Sequence, residues 1–308
     1  MVGLLFPGQG SQFVGMGQDL AARFPAAARI FERADEALGV PLSRLMWEGP
    51  EDDLTATHNA QPAILTHSVA VLDVVRERIP DVALAAGHSL GEFSAYVAAS
   101  ALTFEDAVRA VRRRGELMFR SGQERPGAMA AVLGLDDEPL ERVCREASRA
   151  TGGECVPANF NAPGQIVISG DEPAVRAAME LAREAGAKRA VPLNVSGAFH
   201  SPLMAVAEEG LRAHLEAVEL DPPAFPVVSN VTAKPVSDPV EARSLLVRQL
   251  TSPVRWTASM RTMRDAGIDW FLELGPGNVL GGLMKRIDRE AGVTSLGTAD
   301  QAESYPGG

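Results

Sequence analysis

The chain has 308 residues, 46% of them apolar, with a net charge of −11 at neutral pH. That is enough apolar material for one large core, or for a core with an inserted lobe. The acidic balance, with no long Lys/Arg run, argues against nucleic acid as a partner, because phosphate binding needs a concentrated basic surface.

Val2–Phe6 reads as a short buried strand that ends in the turn PGQGSQ. The opening residues carry too brief an apolar stretch, and no basic flank, for a secretory signal. A helix is predicted over residues 13–24, and helical periodicity continues through AAARIFERADEALG and AILTHSVAVLDVVRER. Residues 83–88 read as a second buried strand, followed by a sharp turn at Ser89 and a helix over 90–99. TFEDAVRAVRRRGELMFRSG begins with Thr103 three residues before Asp106, a capping signal for a further helix.

The character then changes. Residues 126–195 read as strand (128–133), helix (138–150), strand (156–161), strand (165–169), helix (172–185) and strand (189–193). That β-α-β-β-α-β order is the ferredoxin-like pattern of a small inserted lobe. The chain's two cysteines, Cys144 and Cys155, are too few for a disulfide framework or a metal cluster and read as small buried residues of a reducing compartment. A helix over 203–218 and strands at 226–230 and 270–275 return to the earlier style. The predicted architecture is thus α/β: a larger unit with a central, mostly parallel sheet (1–125 and 196–296), the small lobe (126–195), and a mobile polar tail (297–308). No run approaches the roughly 20 apolar residues of a transmembrane helix, so a soluble cytoplasmic protein is expected.

The turn GHSLG has the pattern Gly-x-Ser-x-Gly between a strand and a helix. Such a turn holds its serine in a strained conformation with the hydroxyl exposed. The serine then serves a hydrolase, a transferase, or nothing more than the turn. The N–H of Leu90, at a helix start, is placed to stabilise an oxyanion. A nucleophilic serine needs a base. Of five histidines, His88 adjoins the serine and should point elsewhere, while His58, His67 and His214 read as helical or surface residues. His200, in GAFHS at a helix start, is the best candidate. Asp171 is the only obvious candidate acid in the Ser–Asp–His order of α/β-hydrolases, but it falls within the small lobe. A backbone carbonyl orienting the imidazole is an acceptable substitute. Gly8-x-Gly10 after the first strand fails the dinucleotide fingerprint, since Phe13 stands at the third glycine position. The same loop instead offers the N–H of Gln9 as a second oxyanion donor.

Nine segments occur in order up to about residue 287: FPGQGSQ, AQPA, GHSLGE, RRRGELM, GAMAAVLGL, NFNAPGQIVISG, GAFHS, VRQLTSPVRW and ELGPGNVLGGL. Together they resemble the malonyl-CoA:acyl carrier protein transacylases, and the resemblance covers nearly the whole chain. It implies a hydrolase-like large subdomain with a ferredoxin-like insertion. It places the nucleophile on Ser89, the catalytic histidine on His200 and the oxyanion donors on the N–H groups of Gln9 and Leu90. Gln249 would orient the histidine through its backbone oxygen, and Met118 and Phe199 would line the acyl pocket. Arg114 would bind the malonyl carboxylate; by itself it reads as one of a solvated trio, Arg112–Arg114. Phe199 resembles the residue of malonyl-selecting members, leaving no room for an α-methyl branch.

The implied substrates are malonyl-CoA and the phosphopantetheine arm of acyl carrier protein, with no bound cofactor and a monomeric enzyme. Lys285 and Arg286 are candidate docking cations for an acidic carrier protein, or ordinary surface charge. A free-standing acyltransferase of a polyketide synthase would keep the same residues. A serine esterase or a non-catalytic scaffold agrees less well with the set Ser89, His200, Arg114 and Gln249.

Overall fold

Ten strands form two sheets in the computed structural model, which describes residues 1–307. The strands are β1 (Val2–Phe6), β2 (Val82–Gly87), β3 (Ala128–Leu133), β4 (Cys155–Ala162), β5 (Gln165–Gly170), β6 (Arg189–Pro192), β7 (Val227–Val228), β8 (Pro235–Val236), β9 (Trp270–Leu274) and β10 (Gly292–Leu296). The larger sheet has the order β10-β9-β1-β2-β7-β8 and is parallel except for the β7/β8 pair. Every residue of β1 is buried, as expected of a parallel strand covered on both faces. The second sheet, β4-β5-β3-β6, is antiparallel throughout. It has its own apolar core, which includes Val132, Leu140, Ile166 and Ile168. Its elements are contiguous in the chain, and β4 also bonds to the larger unit through Phe160 N and Val254 O at 2.9 Å.

Phe6 at the end of β1 stands beside Gly87 at the end of β2. The PGQG and GHSLG turns therefore leave the same edge of the sheet side by side, the end at which parallel α/β sheets bind ligands. Two glycines make this approach possible. A Cβ on Gly91 would lie 2.3 Å from Phe6 O, and one on Gly8 would lie 2.6 Å from His88 O. Gly91→Ala is accordingly expected to cost about 2 kcal/mol through overpacking against rigid backbone. A thermal melt checks this, and an unchanged midpoint would contradict the packing argument.

The predicted elements up to β6 are present, with shifted ends. The helix expected over 13–24 is shortened to Gln18–Arg23, because Gly15 and Gly17 adopt positive φ. The helix expected over 203–218 is Ala205–Glu216, after a 3₁₀ turn at Pro202–Met204. The strand expected over 226–230 keeps only two residues, since Ser229 turns the chain back toward Lys234 and β8. Six helices were not expected from the sequence: Leu42–Glu48, Glu51–Thr55, Pro239–Arg248, Trp256–Asp265, Val279–Ile287 and Ala299–Ser304.

The expected mobile tail is corrected. Ala299–Ser304 forms a helix with a capping box between Thr298 and Gln301. Arg78 donates to Ala302 O and Tyr305 O, both at 2.7 Å, and Arg23 pairs with Asp300 and Glu303. Buried Ala299, Ala302 and Tyr305 supply the apolar contact that makes docking favourable. The last residue of that expectation, Gly308, lies outside the described residues. Among the described residues, no helix is long and apolar enough to cross a membrane.

Candidate active site

Ser89 occupies the left-handed region, φ 52°, between β2 and the helix Gly91–Ala98. A non-glycine residue held there costs about 1–2 kcal/mol, so the surrounding contacts must over-determine the turn. Asn230 supplies two of them. Its Oδ1 accepts from Ser89 N at 2.7 Å, and its Nδ2 donates to Gly87 O at 2.7 Å.

Ser89 Oγ lies 2.8 Å from His200 Nε2. His200 is itself left-handed, φ 57°, and its Nδ1 lies 2.8 Å from the backbone oxygen of Gln249. Gln249 ends the helix Pro239–Arg248, where the last carbonyls have no partner within the helix. That carbonyl can only accept, so Nδ1 carries the proton and Nε2 presents a lone pair to the serine. Burial, reinforced by the Arg114 cation, holds His200 well below the ordinary histidine value, at about 3. At neutral pH the imidazole is therefore neutral and able to take a proton. Asp171 serves elsewhere: it pairs with Arg125 and accepts from Glu154 N.

Arg114 and Met118 lie one helical turn apart in Phe104–Glu124 and so share a face. That helix packs closely on Thr57–Val75, where a Cβ on Gly115 would lie 2.6 Å from His58 Cα. Arg114 is 1% exposed, unlike a solvated surface residue. Its Nη2 donates to Ser89 Oγ at 3.0 Å and Gln249 Oε1 at 2.9 Å, and its Nη1 donates to Gln61 Oε1 at 2.8 Å. All three acceptors are neutral, and Nε has no partner among the described residues. Burial lowers the guanidinium to about 10, with nearby Glu92 acting in the opposite direction. It is thus a buried cation at neutral pH beside the serine hydroxyl, chemically suited to a carboxylate.

A cleft of about 420 Å³ opens over this cluster, between the serine turn and the antiparallel sheet. Gln9, Ser89, Met118, Phe199 and His200 all line it. The N–H groups of Gln9 and Leu90 have no partner among the described residues, which leaves both free to donate. His88 also lines the cleft, but its Nε2 is engaged by Asn161 Oδ1 at 2.8 Å. Lys285 and Arg286 are exposed on the last turn of Val279–Ile287. Arg286 reaches Gln165, a residue of the cleft wall, at 2.8 Å.

Three buried residues of the cluster were missed from sequence: Gln61, Glu92 and Asn230. Gln61 and Glu92 lie inside AQPA and GHSLGE, so the motifs were visible while the contacts were not. Among the described residues, no group of three or more His, Cys, Asp or Glu is arranged to hold a metal ion.

Residues 4–298 match the family described as acyl transferase domain. The chain is 47% identical to the malonyl CoA-acyl carrier protein transacylase of Bacillus subtilis, over 98% of this chain and 95% of that one. It is 46% identical to the protein of the same name from Haemophilus influenzae, over 92% and 91% of the two chains. Among solved structures, a malonyl-transacylase in complex with a type II PKS acyl-carrier protein superposes with a TM-score of 0.95. It is 42% identical, over 99% of this chain and 98% of that one. An acyl carrier protein S-malonyltransferase from Vibrio cholerae superposes at 0.94 and is 41% identical, over 98% and 99%. This chain belongs to the acyl transferase domain family and, within it, to the malonyl CoA-acyl carrier protein transacylases.

Proposed function

We propose that this chain transfers a malonyl group from malonyl-CoA to the phosphopantetheine thiol of acyl carrier protein, for fatty acid biosynthesis. The observation that carries the substrate class is Arg114, a buried cation bonded only to neutral acceptors 3.0 Å from the serine hydroxyl. A site open to any acyl group has no use for such a charge. A site for a dicarboxylic acyl group requires one.

In the first half-reaction Ser89 Oγ attacks the thioester carbonyl while His200 Nε2 takes its proton. The N–H groups of Gln9 and Leu90 hold the oxyanion. Collapse breaks the C–S bond, and the imidazolium returns the proton to the departing CoA sulfur, leaving a malonyl-serine ester. In the second, His200 takes the proton of the phosphopantetheine thiol, whose sulfur attacks the ester. The proton then passes to Ser89 Oγ as the serine leaves. Both transfers balance with protein groups and substrates alone, so the reading needs no bound cofactor. The strand order and chain order of β3 to β6 support a ferredoxin-like insertion, and the parallel sheet with its serine turn supports a hydrolase-like large subdomain. The structural relative's type II PKS carrier protein favours one second reading, a free-standing acyltransferase of polyketide synthesis.

Two kinetic tests follow. Because the Arg114 cation adds to burial in keeping His200 unprotonated, pairing that cation with a malonyl carboxylate removes its share of the depression. His200 then titrates at higher pH in the malonyl-enzyme than in the free enzyme. A base is lost as pH falls through its pKa, so the acid limb of kcat/KM should lie higher for carrier protein than for malonyl-CoA. Acid limbs at the same pH would contradict this. Reversing Lys285 and Arg286 to glutamate should raise KM for holo carrier protein several-fold with malonyl-CoA kinetics unchanged; an unchanged KM refutes the docking assignment. The function itself is tested by incubating enzyme and malonyl-CoA with apo- and holo-carrier protein. Transfer to the holo form alone is expected, and rapid malonate release without carrier would point to a thioesterase.

A further inference from the structure

Glu92 is completely buried one turn after the serine, yet no step above uses it. Its Oε2 accepts from Gln249 Nε2 at 2.7 Å and from Asn230 N at 3.0 Å. Oε1 has no partner among the described residues. A buried carboxyl with one unsatisfied oxygen is costly, so its retention calls for a reason beyond packing.

The contacts supply one. A glutamine amide has a donor end and an acceptor end, and the two are nearly the same shape. Gln249 uses its acceptor end, Oε1, for Arg114 Nη2. Its donor end faces Glu92 and, at 3.1 Å, Ser89 O. Turned over, the amide would aim its NH2 at a guanidinium that can only donate, and its oxygen at a carboxyl oxygen. We propose that Glu92 is a positioning residue for acyl selectivity: it locks the Gln249 amide in the orientation that holds Arg114 beside Ser89 to receive a carboxylate. Through Asn230 N it also braces the residue whose side chain fixes the serine turn.

Burial pushes the Glu92 carboxyl up to about 7, against the hydrogen bonds from Asn230 and Gln249 and the Arg114 charge. With both donors on Oε2, a proton rests on the unpartnered Oε1 without disturbing either bond. A carboxamide is close to this neutral form in shape and can keep its oxygen in the Oε2 position. Glutamine should therefore substitute where aspartate and alanine do not.

The inference rests on the malonyl reading and is tested by initial rates of Ser89 acylation with malonyl-CoA and acetyl-CoA, by intact mass, beside thermal melts. Wild-type enzyme that takes up no malonyl group overturns the malonyl reading itself. With wild-type loading in hand, Glu92→Ala and Glu92→Asp should each lower the malonyl-to-acetyl rate ratio at least about tenfold. Glu92→Gln should bring it back to within about threefold of wild type. A general weakening of the fold would slow both donors alike and leave the ratio unmoved. Should Glu92→Ala not fold, Glu92→Asp carries the test, since it keeps the carboxyl and withdraws it by one methylene. An unchanged ratio in the folded shortened variant overturns the proposal, as does a glutamine variant that loses as much as aspartate.

Discussion

Arg114→Ala lowers the rate of malonyl loading onto Ser89 by roughly a hundredfold or more, and acetyl loading falls much less. The asymmetry follows from where the guanidinium sits. It is buried, its bonded partners are Gln61, Gln249 and the serine hydroxyl, and none of them carries charge. A malonyl carboxylate entering the wild-type site exchanges water for a charge-assisted pair. In the variant it loses water and gains nothing, which is the costly case for a buried charge. An acetyl group never used the cation and loses only the contact from Arg114 to Ser89 Oγ. Lysine is a poor replacement, because its single ammonium cannot span Gln61, Gln249 and a carboxylate at once. Equal losses for the two acyl groups would show that Arg114 serves the serine and not the substrate.

His200→Ala lowers both half-reactions by roughly a thousandfold. In the proposed transfer its Nε2, 2.8 Å from Ser89 Oγ, is the base, and the Gln249 carbonyl fixes its tautomer. The residual rate should rise with pH as hydroxide takes over the proton. Pre-steady-state loading from malonyl-CoA and discharge by holo carrier protein measure the two steps separately. A variant that loaded normally and failed only in discharge would assign the first proton to another group. Truncating the Gln249 side chain is a different experiment, since the carbonyl that holds His200 belongs to the backbone. Its effect should fall on Arg114 and hence on malonyl selectivity.

The buried strands β1 and β2 were legible because continuous apolar runs ended in glycine-rich turns. The serine turn was legible for the same reason. His200 came from its place in the chain and its motif, whereas its orientation did not. The carbonyl that holds it ends a helix, Pro239–Arg248, that the sequence reading did not contain. Arg114 read as surface charge within Arg112–Arg114 until the resemblance singled it out. One helical face separates it from its neighbours, and only the packing of Phe104–Glu124 on Thr57–Val75 decides which arginine is buried. Gln61, Glu92 and Asn230 stayed invisible because a buried polar network is defined by partners far apart in the chain. Ser89 and Gln249 alone are separated by 160 positions. The C-terminal segment misled for a related cause. TADQAESYPGG is polar and glycine-ended, and nothing local reveals that Arg78 and Arg23 will hold it down.

The most direct test of a serine-borne malonyl intermediate is the intact mass of the protein after brief exposure to malonyl-CoA, beside a Ser89→Ala control. One malonyl adduct is expected on the wild-type chain, absent from the control and discharged by holo carrier protein. An adduct that persists in Ser89→Ala, or that carrier protein cannot discharge, would contradict the two-step transfer through Ser89.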